Sequence, residues 1–161
     1  MKHIQPLFFL FALVLIVSIS CKKDDPGVDP VVPVTPEPEQ TAAQKATTLL
    51  TANGGKWNPA ALSNWVTVEG VNVTDLFKDF SITFTATGYT TSGTTPVWSR
   101  SDTWSFKDNT GTVFIRKSDG KEVTITVTET TLKLIVDWVQ TTTSGGRTKS
   151  IKGKHEFNLV K

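Results

Sequence analysis

The 161-residue sequence holds one cysteine, one methionine, one tyrosine and two histidines, and these scarcities exclude much chemistry. A lone cysteine closes no internal disulfide. His3 lies in a hydrophobic leader and Cys21 at its end, so His155 is the only histidine left for a folded region that has no thiol. Catalytic zinc draws three ligands, mostly His and Cys, and a Ser or Cys nucleophile needs a base and commonly a G-x-S-x-G elbow, which is absent. An excess of one charge is also lacking: 17 basic against 15 acidic residues, interspersed, leave no electrostatic footprint for nucleic acid. What is present, 38% hydrophobic and 9% aromatic residues, is too apolar for a disordered chain and amounts to one domain.

Sugar cleavage needs only two carboxylates about 5 to 10 Å apart, and Asp102, Asp119, Glu122, Glu129 and Asp137 are available. Nearly all fall at turns or on the outward parity of strands, where a solvated surface is the expected role. Asp137, inside an apolar strand, is expected to form an ion pair. The chain is therefore read as not an enzyme, with no catalytic residue, metal or cofactor.

Residues 1–20 read as an export signal: Lys2, then the apolar run Leu7–Val17, then small Ser18 and Ser20 before Cys21. The run is short for a bilayer span, and lipid attachment explains a single Cys at this place. Ser18-Ile19-Ser20-Cys21 resembles a relaxed bacterial lipobox, and Cys21-Lys22-Lys23-Asp24-Asp25 resembles the start of Bacteroidetes lipoproteins. The resemblance implies a lipidated Cys21, with Lys22, Lys23, Asp24 and Asp25 as an export signal to the outer face of the outer membrane. Each acyl CH₂ adds about 0.8 kcal/mol of membrane affinity, so several chains hold a protein firmly. Residues 21–40, with Pro26, Pro30, Pro33, Pro36 and Pro38, read as a tether that neither helix nor sheet tolerates.

Residues 41–161 read as the folded domain. Thr41 and Gln44 have capping-box spacing, Ala42–Ala52 suits a helix, and Asn53-Gly54-Gly55 supplies a left-handed stop. The periodicity then becomes two: Phe80–Thr87, Trp104 with Phe106, Val113 with Ile115, Val123-Ile125-Val127, Leu132-Leu134-Val136-Trp138, and Phe157 with Leu159. Turn chemistry at 108–111, 118–121 and 143–146 separates the strands. The short connections leave no room for crossover helices, which predicts an all-β fold: an antiparallel up-and-down meander closing into a barrel of about eight strands with a short N-terminal helix.

Gly55-Lys56-Trp57, after the helix and opening the first strand, resembles the G-x-W signature of the lipocalin and wider calycin group, and the later cadence is similar to small lipocalin-like lipoproteins of Bacteroidetes. The resemblance implies that the helix covers the closed end and Trp57 packs in the barrel floor. Lipocalins usually place an Arg in the last strand over that Trp; here the strand offers Lys152, Lys154 and His155. The segment 58–63 interrupts the first strand, which is expected to begin as an edge piece, because Pro59 lacks an N–H, and to resume near Trp65–Val68.

All five Trp lie in the domain. The ligand-binding candidates are Trp98, Arg100, Trp104, Trp138 and His155: rings at a barrel mouth can clasp an apolar body while Arg100 fixes a polar end. Trp57, Trp104, Trp138 and His155 also fit a core role, His155 by its parity with Phe157 and Leu159. Lys152 and Lys154 are expected outward. The expected function is a lipid-anchored, monomeric, surface-exposed outer-membrane protein that binds a small apolar or amphipathic molecule in a calyx, with no nucleic-acid partner. The alternatives are a glycan-binding accessory and a structural or protein-interaction module with a filled barrel. An open interior favours the carrier and a filled one surface recognition.

Overall fold

The computed structural model describes residues 39–144 and 147–161. Cys21, Lys22, Lys23, Asp24 and Asp25, with the leader and the tether to residue 38, lie outside the described residues, as do Gly145 and Gly146 of the turn expected at 143–146. Helix α1 (Ala42–Thr51) begins as its spacing predicts: the Thr41 hydroxyl accepts from Gln44 N, and the Gln44 side chain accepts from Thr41 N. It ends in a 3-10 turn (Ala52–Gly55) where Asn53 and Gly54 take φ of 55° and 80°, the left-handed region that Gly and Asn enter most readily.

Twelve strands follow among the described residues: β1 (Lys56–Pro59), β2 (Val66–Val68), β3 (Val71–Asn72), β4 (Ser81–Phe84), β5 (Gly88–Ser92), β6 (Ser101–Phe106), β7 (Val113–Arg116), β8 (Glu122–Val127), β9 (Thr131–Trp138), β10 (Thr142–Ser144), β11 (Arg147–Ser150) and β12 (Gly153–Val160). All their pairings are antiparallel. β1, β4, β5, β6, β7, β8, β9 and β12 close into an eight-stranded barrel, with β2 and β3 added along β12 and β10–β11 forming a separate ribbon.

Closure rests on β1. Lys56 and Trp57 pair with Thr83 and Ile82 of β4, whereas Asn58 and Pro59 pair with Val160 and Leu159 of β12. The strand is thus not an edge piece, contrary to the sequence expectation: it hands over from one neighbour to the other within four residues. Pro59 is tolerated because its half has already left β4. The interruption is real and local. Ala60 N donates to Asn158 O at 3.1 Å and Asn158 N to Trp65 O at 2.7 Å, so residues 61–64 loop out of a line that β2 resumes opposite Phe157.

The alternating side chains fill the interior. Trp57, Ile82, Phe84, Phe114, Val123, Leu134 and Phe157 are buried, and burying each such side chain contributes roughly 1.5–3 kcal/mol. Ring contacts form an unbroken column from Phe106 and Trp104 through Phe84, Tyr89 and Trp98 to Phe157, Phe77, Phe80 and Trp65, with centroids 5.1–6.1 Å apart at each step. The helix caps one end: Trp57 Nε1 donates to Leu50 O at 3.0 Å, and Ala43 N donates to Asn109 O in the β6–β7 turn. From residue 39 onward the described residues form one compact unit with its own core.

Gly55 has φ of 69°, and a Cβ there would run into the Phe84 carbonyl; Gly54 has a similar φ but open space around it. Gly55→Ala should therefore lose about 3 kcal/mol and Gly54→Ala only about 1 kcal/mol, read as the difference in urea midpoint between the two variants.

Candidate functional site

The two barrel ends differ in chemistry. At the helix end the polar groups are paired: the Trp57 indole is engaged, and Lys161 Nζ stands 4.7 Å from the Trp57 ring centroid while donating to Leu49 O at 2.9 Å. At the opposite end the β5–β6 connection, residues 93–100, folds inward and seats Val97 and Trp98 as a plug, both almost fully buried. Beneath it lies Arg116, which shares the inward parity of Phe114 on β7 and is only 1% exposed.

The turn after β7 brings Asp119 back onto Arg116. The guanidinium donates from Nε at 3.1 Å and from Nη2 to the two oxygens of Asp119, and from Nη1 to Val97 O at 2.7 Å. Its Cζ lies 5.3 Å from the Trp98 ring and 5.9 Å from the Trp138 ring, so indoles flank the cation. Burial of the Asp119 carboxyl opposes its ionisation, but hydrogen bonds from Arg116 and from Lys121 N outweigh this and hold it below the usual carboxylate range.

Three polar atoms at this end are buried without a hydrogen bond: Tyr89 Oη, Trp98 Nε1 and His155 Nε2. Such atoms cost about 1–3 kcal/mol each. Tyr89 has its pKa raised to about 12 by burial, with the Arg116 charge pulling the other way; Ser99 is beside its hydroxyl but outside hydrogen-bond geometry. His155 Nδ1 is 3.1 Å from Gly153 O. A carbonyl can only accept, so Nδ1 carries the proton and the neutral ring offers Nε2 as an acceptor.

The five sequence candidates do not form one site. Trp98, Trp138 and His155 come to the plugged end. Trp104 belongs to the helix-side half of the column, packed against Phe84, Phe106 and Phe114, with Nε1 donating to Gly88 O at 3.0 Å. Arg100 is exposed and outside the cluster. Arg116 takes the inward polar position expected of it, and Tyr89 joins it. The alternation Phe114–Arg116 on a strand was the available signal for Arg116. Lys152 and Lys154 point outward as expected, and Asp137 is exposed opposite Lys154 in the β9–β12 register.

Three of the five acids considered for catalysis are engaged structurally: Asp119 by Arg116, Glu122 by Lys107 at 2.6 Å, and Asp102 by the Ser118 hydroxyl at 2.6 Å. Among the described residues no cluster of three or more His, Cys, Asp or Glu is placed to hold a metal, and no helix is long and apolar enough to cross a membrane.

The four cavities described, of about 250, 300, 320 and 270 Å³, are open depressions lined by residues such as Asn72–Leu76, Leu62 with Lys133, Lys45 with Thr126, and Thr48 with Glu129. None is lined by the ring column, so they do not form the standing calyx expected between the candidate residues. No family model, curated protein or solved structure matches the chain.

Burial depresses the His155 pKa below the ordinary imidazole value, and the bond to Gly153 only partly offsets this. The unfolded chain therefore takes up the proton first on acidification. Stability should be full above the unfolded value of about 6.5 and fall as pH drops below it. Urea midpoints measured from pH 7.5 to 5.5 should decline in the wild type and stay level in His155→Asn.

Proposed function

We propose that this chain is a lipid-anchored, non-catalytic binding protein of the lipocalin-like kind, which engages a small apolar or amphipathic molecule at the barrel end away from α1. The observation that carries the reading is the asymmetry of the ends. One is capped by a helix with its polar groups paired; the other holds a buried cation, unpaired polar atoms and rings under a short plug. A scaffold needs no such arrangement, because an apolar filling of equal volume is as stable as a buried ion pair or more so.

The lipocalin-like assignment is supported at the closed end. Gly55 makes the turn, Trp57 is fully buried in the floor, and Lys161 places over it the cation that lipocalins supply as an Arg. The ligand does not occupy a standing calyx, since the ring column fills the axis; it enters by displacing Val97 and Trp98. Anchoring through Cys21 and display on the outer face of the outer membrane rest on the segment Cys21–Asp25. A monomer fits this role. A second reading, a packed module that meets a glycan or protein with its outside, is favoured by the filled axis and the external position of the four cavities.

Labelled palmitate should enter the protein in cells and be absent from Cys21→Ala, and protease shaving of intact cells should remove the domain. For the site, residues 39–161 should show saturable energy transfer from tryptophan to N-phenyl-1-naphthylamine or to 8-anilinonaphthalene-1-sulfonate, weakened in Trp98→Phe and retained in Trp104→Phe. Saturable transfer to neither probe would favour the packed module.

A further inference from the structure

The plugged end has more hydrogen-bond donors than its own atoms can use. A guanidinium carries five N–H groups, and three are engaged, two on Asp119 and one on Val97 O. The Trp98 indole N–H and the Tyr89 hydroxyl are buried without a partner among the described residues, as are His155 Nε2 and Thr74 Oγ1. Arg116, Trp98 and Tyr89 are neighbours: Tyr89 and Trp98 rings are 5.5 Å apart, Arg116 lies over Trp98, and Tyr89 feels the Arg116 charge.

The covering segment is weakly held. Thr94 N is tied to Lys78 O, and Ser99 O accepts from the Thr91 hydroxyl. Between those ties, the backbone bonds described for residues 95–98 are Trp98 N to Thr95 O inside the segment itself and Val97 O to Arg116 Nη1. One guanidinium N–H thus connects the plug backbone to the barrel.

We infer that displacement of the plug opens an anion site anchored by Arg116, in which an acceptor oxygen of the ligand replaces the Val97 carbonyl. The ligand class is a small amphiphile bearing a single carboxylate or sulfonate on a compact apolar or aromatic body. Its oxygens take N–H groups of Arg116 and the Tyr89 hydroxyl, and its body replaces the Trp98 ring against Phe157 and Tyr89. The exchange is favourable because a charged acceptor makes a stronger bond to guanidinium than a neutral carbonyl does. Asp119, already in place, selects against a ligand with more negative charge. This inference rests on the end-of-barrel reading above.

The matched probes separate the two claims, since 8-anilinonaphthalene-1-sulfonate differs from N-phenyl-1-naphthylamine by its sulfonate. With residues 39–161, the sulfonate should bind at least tenfold more tightly, saturate at one equivalent and raise the thermal midpoint. It should also make the 93–100 segment more sensitive to limited proteolysis. Arg116→Gln should erase the preference for the sulfonate over the neutral probe. Tyr89→Phe, which removes one hydroxyl and keeps the ring, tests the same point if Arg116→Gln does not fold, and should weaken the sulfonate about threefold. Equal binding of both probes, insensitive to Tyr89→Phe, would overturn the anion site while leaving the end-of-barrel reading in place. Saturable binding of neither would overturn both.

Discussion

The molecule depends on four residues, Lys56 to Pro59, that bond to β4 with one half and to β12 with the other. Without this handover the meander from β4 to β12 would be an open sheet with two unpaired edges, and its alternating side chains would have no enclosed interior. With it, inside and outside are defined for every strand. The same turn sets the floor: Gly55 passes tightly against the Phe84 carbonyl, Trp57 follows two residues later, and its indole holds the last turn of α1 by the Leu50 carbonyl.

From that floor the interior is built by rings stacked on rings, so the barrel resembles a rod with a wall more than a cup. Apolar filling dominates the helix half, and polar atoms accumulate in the other. Surface pairs such as Lys107–Glu122 and Lys133–Glu156 contribute little at their exposure, so the electrostatic character of the protein is concentrated around Arg116 and Asp119. Buried polar atoms without partners lower stability, and their grouping at one end gives that end a lower resistance to opening than the capped one.

Much of the fold was legible in the sequence because its periods are local. The capping box at Thr41 and Gln44, the left-handed stop at Asn53-Gly54, the alternation along β8 and β9 and the inward parity of His155 each depend on residues a few positions apart. The status of β1 was not legible, because Pro59 marks an edge by its own chemistry and only the partners contributed by β4 and β12, from distant parts of the chain, make it a closing strand. The site was legible in part. Trp98, Trp138 and His155 share an end, but Arg100 and Arg116 could not be ranked from composition: the loop that carries Arg100 turns its side chain to solvent, whereas strand parity carries Arg116 inward. The plug itself is a long-range contact between a Pro-containing loop and a strand end, with no periodic trace.

Closure also bears on how many copies can stand side by side. An open sheet offers a neighbour a row of unpaired amides and carbonyls, and crowded strands of that kind zip together. Here the barrel sheet runs out at β3, two residues long and bent back by the Glu69-Gly70 turn, too short to template a partner strand. The barrel sheet therefore presents a neighbouring copy with no long row of free backbone groups to pair with.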